Sequence, residues 1–127
     1  HYPGDYGLIP QTLSEDGDPL DALVLVTNPT FPGILIEARP IGLLQMKDDG
    51  EPDDKIICVS INDPRYLHTT DIENIEEHYR SEIAHFFQVY KELEGKKVEI
   101  IGWKSSKDAK TVIIESIKRY KDTLKKY

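Results

Sequence analysis

A chain of 127 residues that is 39% hydrophobic and 31% charged has room for one domain, residues 1–127, with one core, and its composition excludes a disordered protein. No run approaches the ~18 apolar residues that a membrane-spanning helix needs, so no membrane partner is expected. The net charge of −7 is unevenly spread: residues 1–54 hold eleven acids against two bases, residues 104–127 eight bases against three acids. The acidic half repels nucleic acid and attracts divalent cations, and the basic tail reads as the solvated face of a helix, which excludes a nucleic-acid partner.

Residues 1–19 are rich in glycine and proline and read as ordered loop and turn with a short strand. Ala22 to Thr27 is a continuous β-prone run of the kind buried on both faces of a sheet. Ile34 to Met46 follows as one long strand or two, with Pro40 and Gly42 marking the bend or bulge that a curved sheet needs. Asp48 to Asp54 is an acidic turn containing Gly50 and Pro52, and Lys55 to Ile61 returns as a strand. Cys58, the single cysteine, sits in this apolar strand without metal-ligand spacing and reads as a buried structural thiol, which points to a reducing, cytoplasmic compartment.

Ile75, Tyr79, Ile83, Phe86, Phe87, Tyr90 and Leu93 have the spacing of one helical face. His85 falls within that helix and reads as a packed structural histidine, His68 and His78 as surface residues. Lys97 to Trp103 is strand-like, with Trp103 as a core anchor. Ser105 or Ser106 caps a last helix whose apolar face is Ala109, Ile113, Ile117, Tyr120, Leu124 and Tyr127. Four or five strands followed by helix, strand and helix predict an α+β fold: a curved antiparallel sheet or small, incomplete β-barrel with two main outer helices.

The chemistry is concentrated in Asp16-Gly17-Asp18-Pro19-Leu20-Asp21, three carboxylates on a loop stiffened by Pro19 that runs into the buried strand. Like charges so crowded raise at least one pKa unless a cation gathers them, and hard oxygen donors of this kind suit Mg²⁺ or Mn²⁺. A solvated acidic turn is the simpler reading of that element taken alone. A calcium loop of the EF-hand type fails, because Leu20 and Asp21 stand where it needs an oxygen donor and a glycine. A second cluster, Asp48, Asp49, Glu51, Asp53 and Asp54, closes on Lys55. Were the two loops to share one end of a sheet, their carboxylates could hold metals jointly, activating water and clamping phosphate.

The run His1-Tyr2-Pro3-Gly4-Asp5-Tyr6-Gly7-Leu8-Ile9-Pro10, followed by the Asp-x-Asp-Pro-x-Asp element at Asp16–Asp21, resembles the central region of the family I inorganic pyrophosphatases. Arg39-Pro40-Ile41-Gly42, the Asp48…Asp53-Asp54-Lys55 turn and Ala84-His85-Phe86-Phe87…Tyr90-Lys91 follow in that family's order. The resemblance implies an OB-like small barrel and Mg²⁺-dependent hydrolysis of pyrophosphate to two orthophosphates by a metal-bridged water, with Mn²⁺ or other divalent ions as substitutes. It assigns Asp16, Asp21, Asp48 and Asp53 to metal and Asp18 to the general base. Tyr6, Lys55, Tyr90 and Lys91 would hold phosphate, with Tyr2 in support. A cytoplasmic homo-oligomer is implied, a hexamer as in prokaryotic members rather than the dimer of eukaryotic ones.

The chain opens at His1, without the family's preceding segment, which supplies the first barrel strands, two glutamates, a lysine and an arginine. A truncated, non-catalytic metal- and phosphate-binding fragment is therefore the alternative expectation.

Overall fold

The computed structural model describes residues 3–125. Among the described residues six strands form one open sheet: β1 (Asp5–Leu8), β2 (Asp21–Leu25), β3 (Ala38–Asp48), β4 (Glu51–Pro52), β5 (Lys55–Ser60) and β6 (Val98–Ser105). Two helices, α1 (Glu77–Leu93) and α2 (Ser106–Leu124), complete it, with short 3₁₀ turns at Pro64–Tyr66 and Ile72–Asn74. The order β1-β2-β5-β3-β4, with β6 also paired to β3, realises the α+β architecture with two outer helices.

The sheet is mixed where a wholly antiparallel one was expected: β2 runs parallel to β5, with Ala22 opposite Ile56 and Leu25 opposite Val59. A parallel pair places the starts of both strands, and the loops entering them, at one end of the sheet. β3 runs antiparallel to β5 and so delivers Asp48 to the same end, and β6, paired with β3 from Asp48↔Val98 onward, begins there too.

β2 and β5 are buried on both faces, as their continuous apolar runs require. Leu23, Leu25, Ile57 and Val59 join Ile83 and Phe87 of α1 in the larger core, while Ala22, Ile56 and Cys58 pack with Ala109 of α2. β3 spans the sheet by bending: its register with β5 shifts between Pro40 and Gly42, the position the sequence marks as a bend. Glycine is required at 42, because a Cβ there would lie 2.7 Å from the Cβ of Ile72. Arg39, just before the bend, donates to the carbonyls of Tyr66 and Thr69 and pins the 3₁₀ segment against β3.

Ser105 is the N-cap of α2, its hydroxyl accepting from the Asp108 amide. Three helix expectations need correction. Leu93 is 83% exposed at the last turn of α1, His85 faces solvent rather than packing, and Leu124 is exposed near the end of α2. Leu93 and Leu124 lie on the helical period but where no neighbouring element covers them, whereas His85 lies off the buried stripe of Ile83 and Phe87. Tyr127 lies outside the described residues. His68 and His78 are exposed as expected, and Trp103 packs at the edge of the larger core.

Burial pushes the Cys58 thiol from 9.0 up to about 12, since the thiolate would lose its hydration. Native protein at pH 8 is therefore expected to resist thiol alkylation at least ~100-fold better than protein in denaturant. Labelling at comparable rates in both states would contradict this. The sign for stability follows: between the two pKa values the native state keeps a proton that the unfolded state has lost. Stability accordingly falls as pH rises from about 9 toward 12.

Candidate active site

The end of the sheet where β2 and β5 begin holds a cleft of about 540 Å³. Its walls include Asp16, Asp18 and Asp21 from the loop before β2, Asp48 from the end of β3, Asp53 and Asp54 from the loop before β5, and Lys91 from α1. The two acidic loops meet because the strands they feed are parallel neighbours. Nothing in either loop encodes this.

Lys55 lies at the centre, its side chain fully buried. One residue before the Ala22–Ile56 pair, Asp21 and Lys55 open adjacent strands, and Lys55 Nζ stands 2.7 Å from Asp21 Oδ2. The same ammonium donates to Asp53 Oδ1 at 2.9 Å and to the Tyr6 hydroxyl at 3.0 Å. Three donors meet three acceptors, so its valence is filled. Burial would lower the Lys55 pKa, but the hydrogen bonds to Asp21, Asp53 and Tyr6 outweigh it and hold the pKa above the usual lysine value. The rings of Tyr6 and Phe87 flank the ammonium at 5.5 and 5.8 Å. Asp53 feels the converse: desolvation would raise its carboxyl, and Lys55 and Lys91 pull it below the ordinary range.

Lys91 Nζ bridges Asp48 Oδ2 and Asp53 Oδ2, each at 3.1 Å, and lies close to the last turn of α1, where the helix dipole favours a cation. Lys96 approaches Asp48 Oδ2 at 3.5 Å. The loop before β2 orients its own carboxylates. Asp16 Oδ1 accepts from the Asp18 amide at 2.9 Å and from the Ser14 hydroxyl at 2.5 Å. Asp18 is exposed, and among the described residues its carboxylate has no partner.

Nine of the ten residues singled out from sequence are described; Tyr2 lies outside the described residues. Asp16, Asp18, Asp21, Asp48, Asp53 and Lys91 line the cleft. Lys55 sits behind it with every proton committed, and Tyr6 reaches it through Lys55. Tyr90 is placed differently, stacked on Phe86 with ring centroids 5.9 Å apart. Asp54 of the second acidic cluster also lines the cleft, its carboxyl pushed upward by burial, and no sign in the sequence marks Lys96 or Arg119 of α2. Lys96 and Arg119 carry no local signal, because each reaches the cleft from an element far away in sequence.

The donor set fits a hard divalent cation: it is all carboxylate oxygen, and among the described residues buried Asp48 Oδ1 has no hydrogen-bond partner. Asp53 Oδ2 is also buried and meets Lys91 only as an ion pair without hydrogen-bond geometry. Among the described residues no three carboxylate, histidine or cysteine side chains are gathered closely enough to hold an ion. Lysine ammonium groups stand between the acids and balance them.

Fold and cleft define an OB-like α+β protein with a carboxylate-walled, lysine-backed site at one end of an open sheet. Residues 1–121 match the family model for inorganic pyrophosphatase. An inorganic pyrophosphatase of Haloferax volcanii is 51% identical over 123 residues, 96% of this chain and 70% of that protein. One from Synechocystis is 51% identical over 94% of this chain and 71% of its own length. The crystal structure of inorganic pyrophosphatase from Thermus thermophilus superposes with a TM-score of 0.90 at 49% identity, covering 94% of this chain and 71% of that one. The chain belongs to the inorganic pyrophosphatase family, whose members depend on divalent metal.

Proposed function

We propose that this protein hydrolyses inorganic pyrophosphate to two orthophosphates, with Mg²⁺ as the working cation and Mn²⁺ as a substitute. The observation that carries the reading is the convergence of three acidic segments and two lysines on one cleft, in a chain whose family match spans residues 1–121. Divalent cations bound there would lower the pKa of a coordinated water and neutralise phosphate oxygens.

The chain's own residues divide the remaining work. Asp16, Asp21, Asp48 and Asp53 hold the cations. Asp18, with both carboxylate oxygens uncommitted among the described residues, takes the proton from the attacking water. Lys91 and Lys96 exchange their carboxylate partners for phosphate oxygens, while Lys55 and Tyr6 keep Asp21 and Asp53 in place behind the cleft. Tyr90 supports phosphate from the α1 side and Tyr2 from the segment before β1. The acidic first half keeps nucleic acid away.

Residues 1–127 act as one domain of a cytoplasmic homo-oligomer, a hexamer. Among the described residues no helix is long and apolar enough to cross a membrane.

The test is orthophosphate release from pyrophosphate in millimolar Mg²⁺. Release is expected, with loss of at least ~100-fold when a chelator removes the cation and recovery when Mg²⁺ is restored. Thermal stabilisation by Mg²⁺ without release would sink the hydrolase reading in favour of a binding-only module. The family match across nearly the whole chain weighs against that alternative.

A further inference from the structure

The loop bearing Asp16 and Asp18 is not anchored by its own strand alone. Its internal order comes from Thr12, whose hydroxyl donates to the Ile9 carbonyl at 2.6 Å and accepts from the Leu20 amide at 3.1 Å, joining the two arms. Ser14 then binds the tip: its amide donates to the Asp18 carbonyl at 2.8 Å. Its hydroxyl lies 2.5 Å from Asp16 Oδ1 and 2.9 Å from the Asp18 carbonyl, one proton serving either. Such a loop is rigid within itself, yet its position over the cleft needs an external fix.

That fix is Leu13, held at both its backbone groups by α2. Its amide donates to the Ser116 carbonyl at 3.0 Å, and its carbonyl accepts from Arg119 Nη1 at 2.6 Å. Ser116 and Arg119 are three residues apart and so share a helical face, and both line the cleft. Ser116 is 1% exposed, so its bond to the loop backbone is made in the interior. Arg119 supplies a charged donor, stronger than a neutral one, to a part-buried acceptor.

We propose that Arg119 is a positioning residue: through the backbone of Leu13 it clamps the acidic loop to α2, so the C-terminal helix sets the placement of Asp16 and Asp18 over the cleft. The inference rests on the reading of those aspartates as metal ligand and base. Arg119 itself need touch neither cation nor phosphate.

The test is direct Mn²⁺ binding, followed by the electron spin resonance signal of free Mn²⁺, on the wild-type chain, Arg119→Met and Arg119→Lys. Arg119→Met is expected to weaken Mn²⁺ binding about 10-fold, as loss of residues that orient metal ligands does. Arg119→Lys keeps a charged donor of similar reach and should stay within about threefold of wild type, by the same scale. Binding by Arg119→Met within twofold of wild type, even with a lower melting temperature, would show a merely structural contact and overturn the clamp. A lysine variant as weak as the methionine one would overturn it too. Should Arg119→Met fail to fold, Arg119→Gln, with a shorter and neutral head, carries the same expectation. A wild-type chain that binds Mn²⁺ but releases no orthophosphate sinks only the hydrolase reading, and the variants' affinities still decide the clamp. Absence of Mn²⁺ binding by the wild type overturns both.

Discussion

Lys55→Met is expected to cost about 3 kcal/mol of folding stability in metal-free buffer, read as a shift in the urea midpoint. Removing one partner of a buried ion pair typically costs 3–5 kcal/mol, because the remaining charge stays buried and uncompensated. Here Asp21 and Asp53 would be left facing each other without the ammonium that sits 2.7 and 2.9 Å from them. The lower end of the range applies because the Asp21 side chain is 36% exposed and water screens part of its charge. Against a typical total of ~5–15 kcal/mol, such a loss is severe. Removing the whole network in Lys55→Met/Asp21→Asn/Asp53→Asn should recover much of it, since neutral side chains leave no orphaned charge. Millimolar Mg²⁺ should also raise the midpoint of the single variant, because a cation can stand where the ammonium stood. A single variant as stable as wild type without metal would mean that Lys55 does not hold the two aspartates together.

Asp18→Asn is expected to do the opposite: leave the fold intact and remove turnover. Its carboxylate is exposed and has no partner among the described residues, so stability should change by less than about 0.5 kcal/mol. Orthophosphate release should fall by roughly 10²–10⁴, the range for loss of a positioned general base. The family resemblance assigns Asp18 this role, and the ties of its neighbouring aspartates in the cleft support it. Asp16 Oδ1 is held by its own loop, Asp21 and Asp53 by Lys55, and Asp48 by Lys91 and Lys96. Asp54, half-buried and accepting from the Met46 amide at 3.4 Å, is the competitor. A rate within a few-fold of wild type in Asp18→Asn, with a large loss in Asp54→Asn, would move the proton transfer to Asp54.

The two predictions concern residues that were legible to different degrees. Asp18 lies in a contiguous element whose spacing, proline and neighbouring acids are all visible in the chain, so its candidacy needs no coordinates. Lys55 is visible as the residue closing the second acidic cluster, and the resemblance puts it among the phosphate contacts. Its commitment to Tyr6, Asp21 and Asp53 spans 49, 34 and 2 residues of sequence and depends on β2 lying parallel to β5. Strand patterning reports which faces are buried. It does not report which strand is the neighbour or in which direction it runs.

Local physics thus settled the elements before any tertiary contact: the doubly buried runs of β2 and β5, the bend at Pro40 and Gly42, the serine cap of α2, and the apolar stripe of α1 as far as Phe87. Periodicity and capping act over a few residues, so the sequence carries them openly. Where those stripes end was not legible, because exposure of Leu93 and Leu124 is decided by which neighbours reach them. The site divides in the same way. Its carboxylates were determined by the sequence, while their meeting was decided by the parallel β2–β5 pair, and their support by Lys55, Lys96 and Arg119 arriving from distant elements. Hydrogen bonds and ion pairs act only at contact distance. Residues that share no local period become partners only once the sheet and its two helices have closed around them.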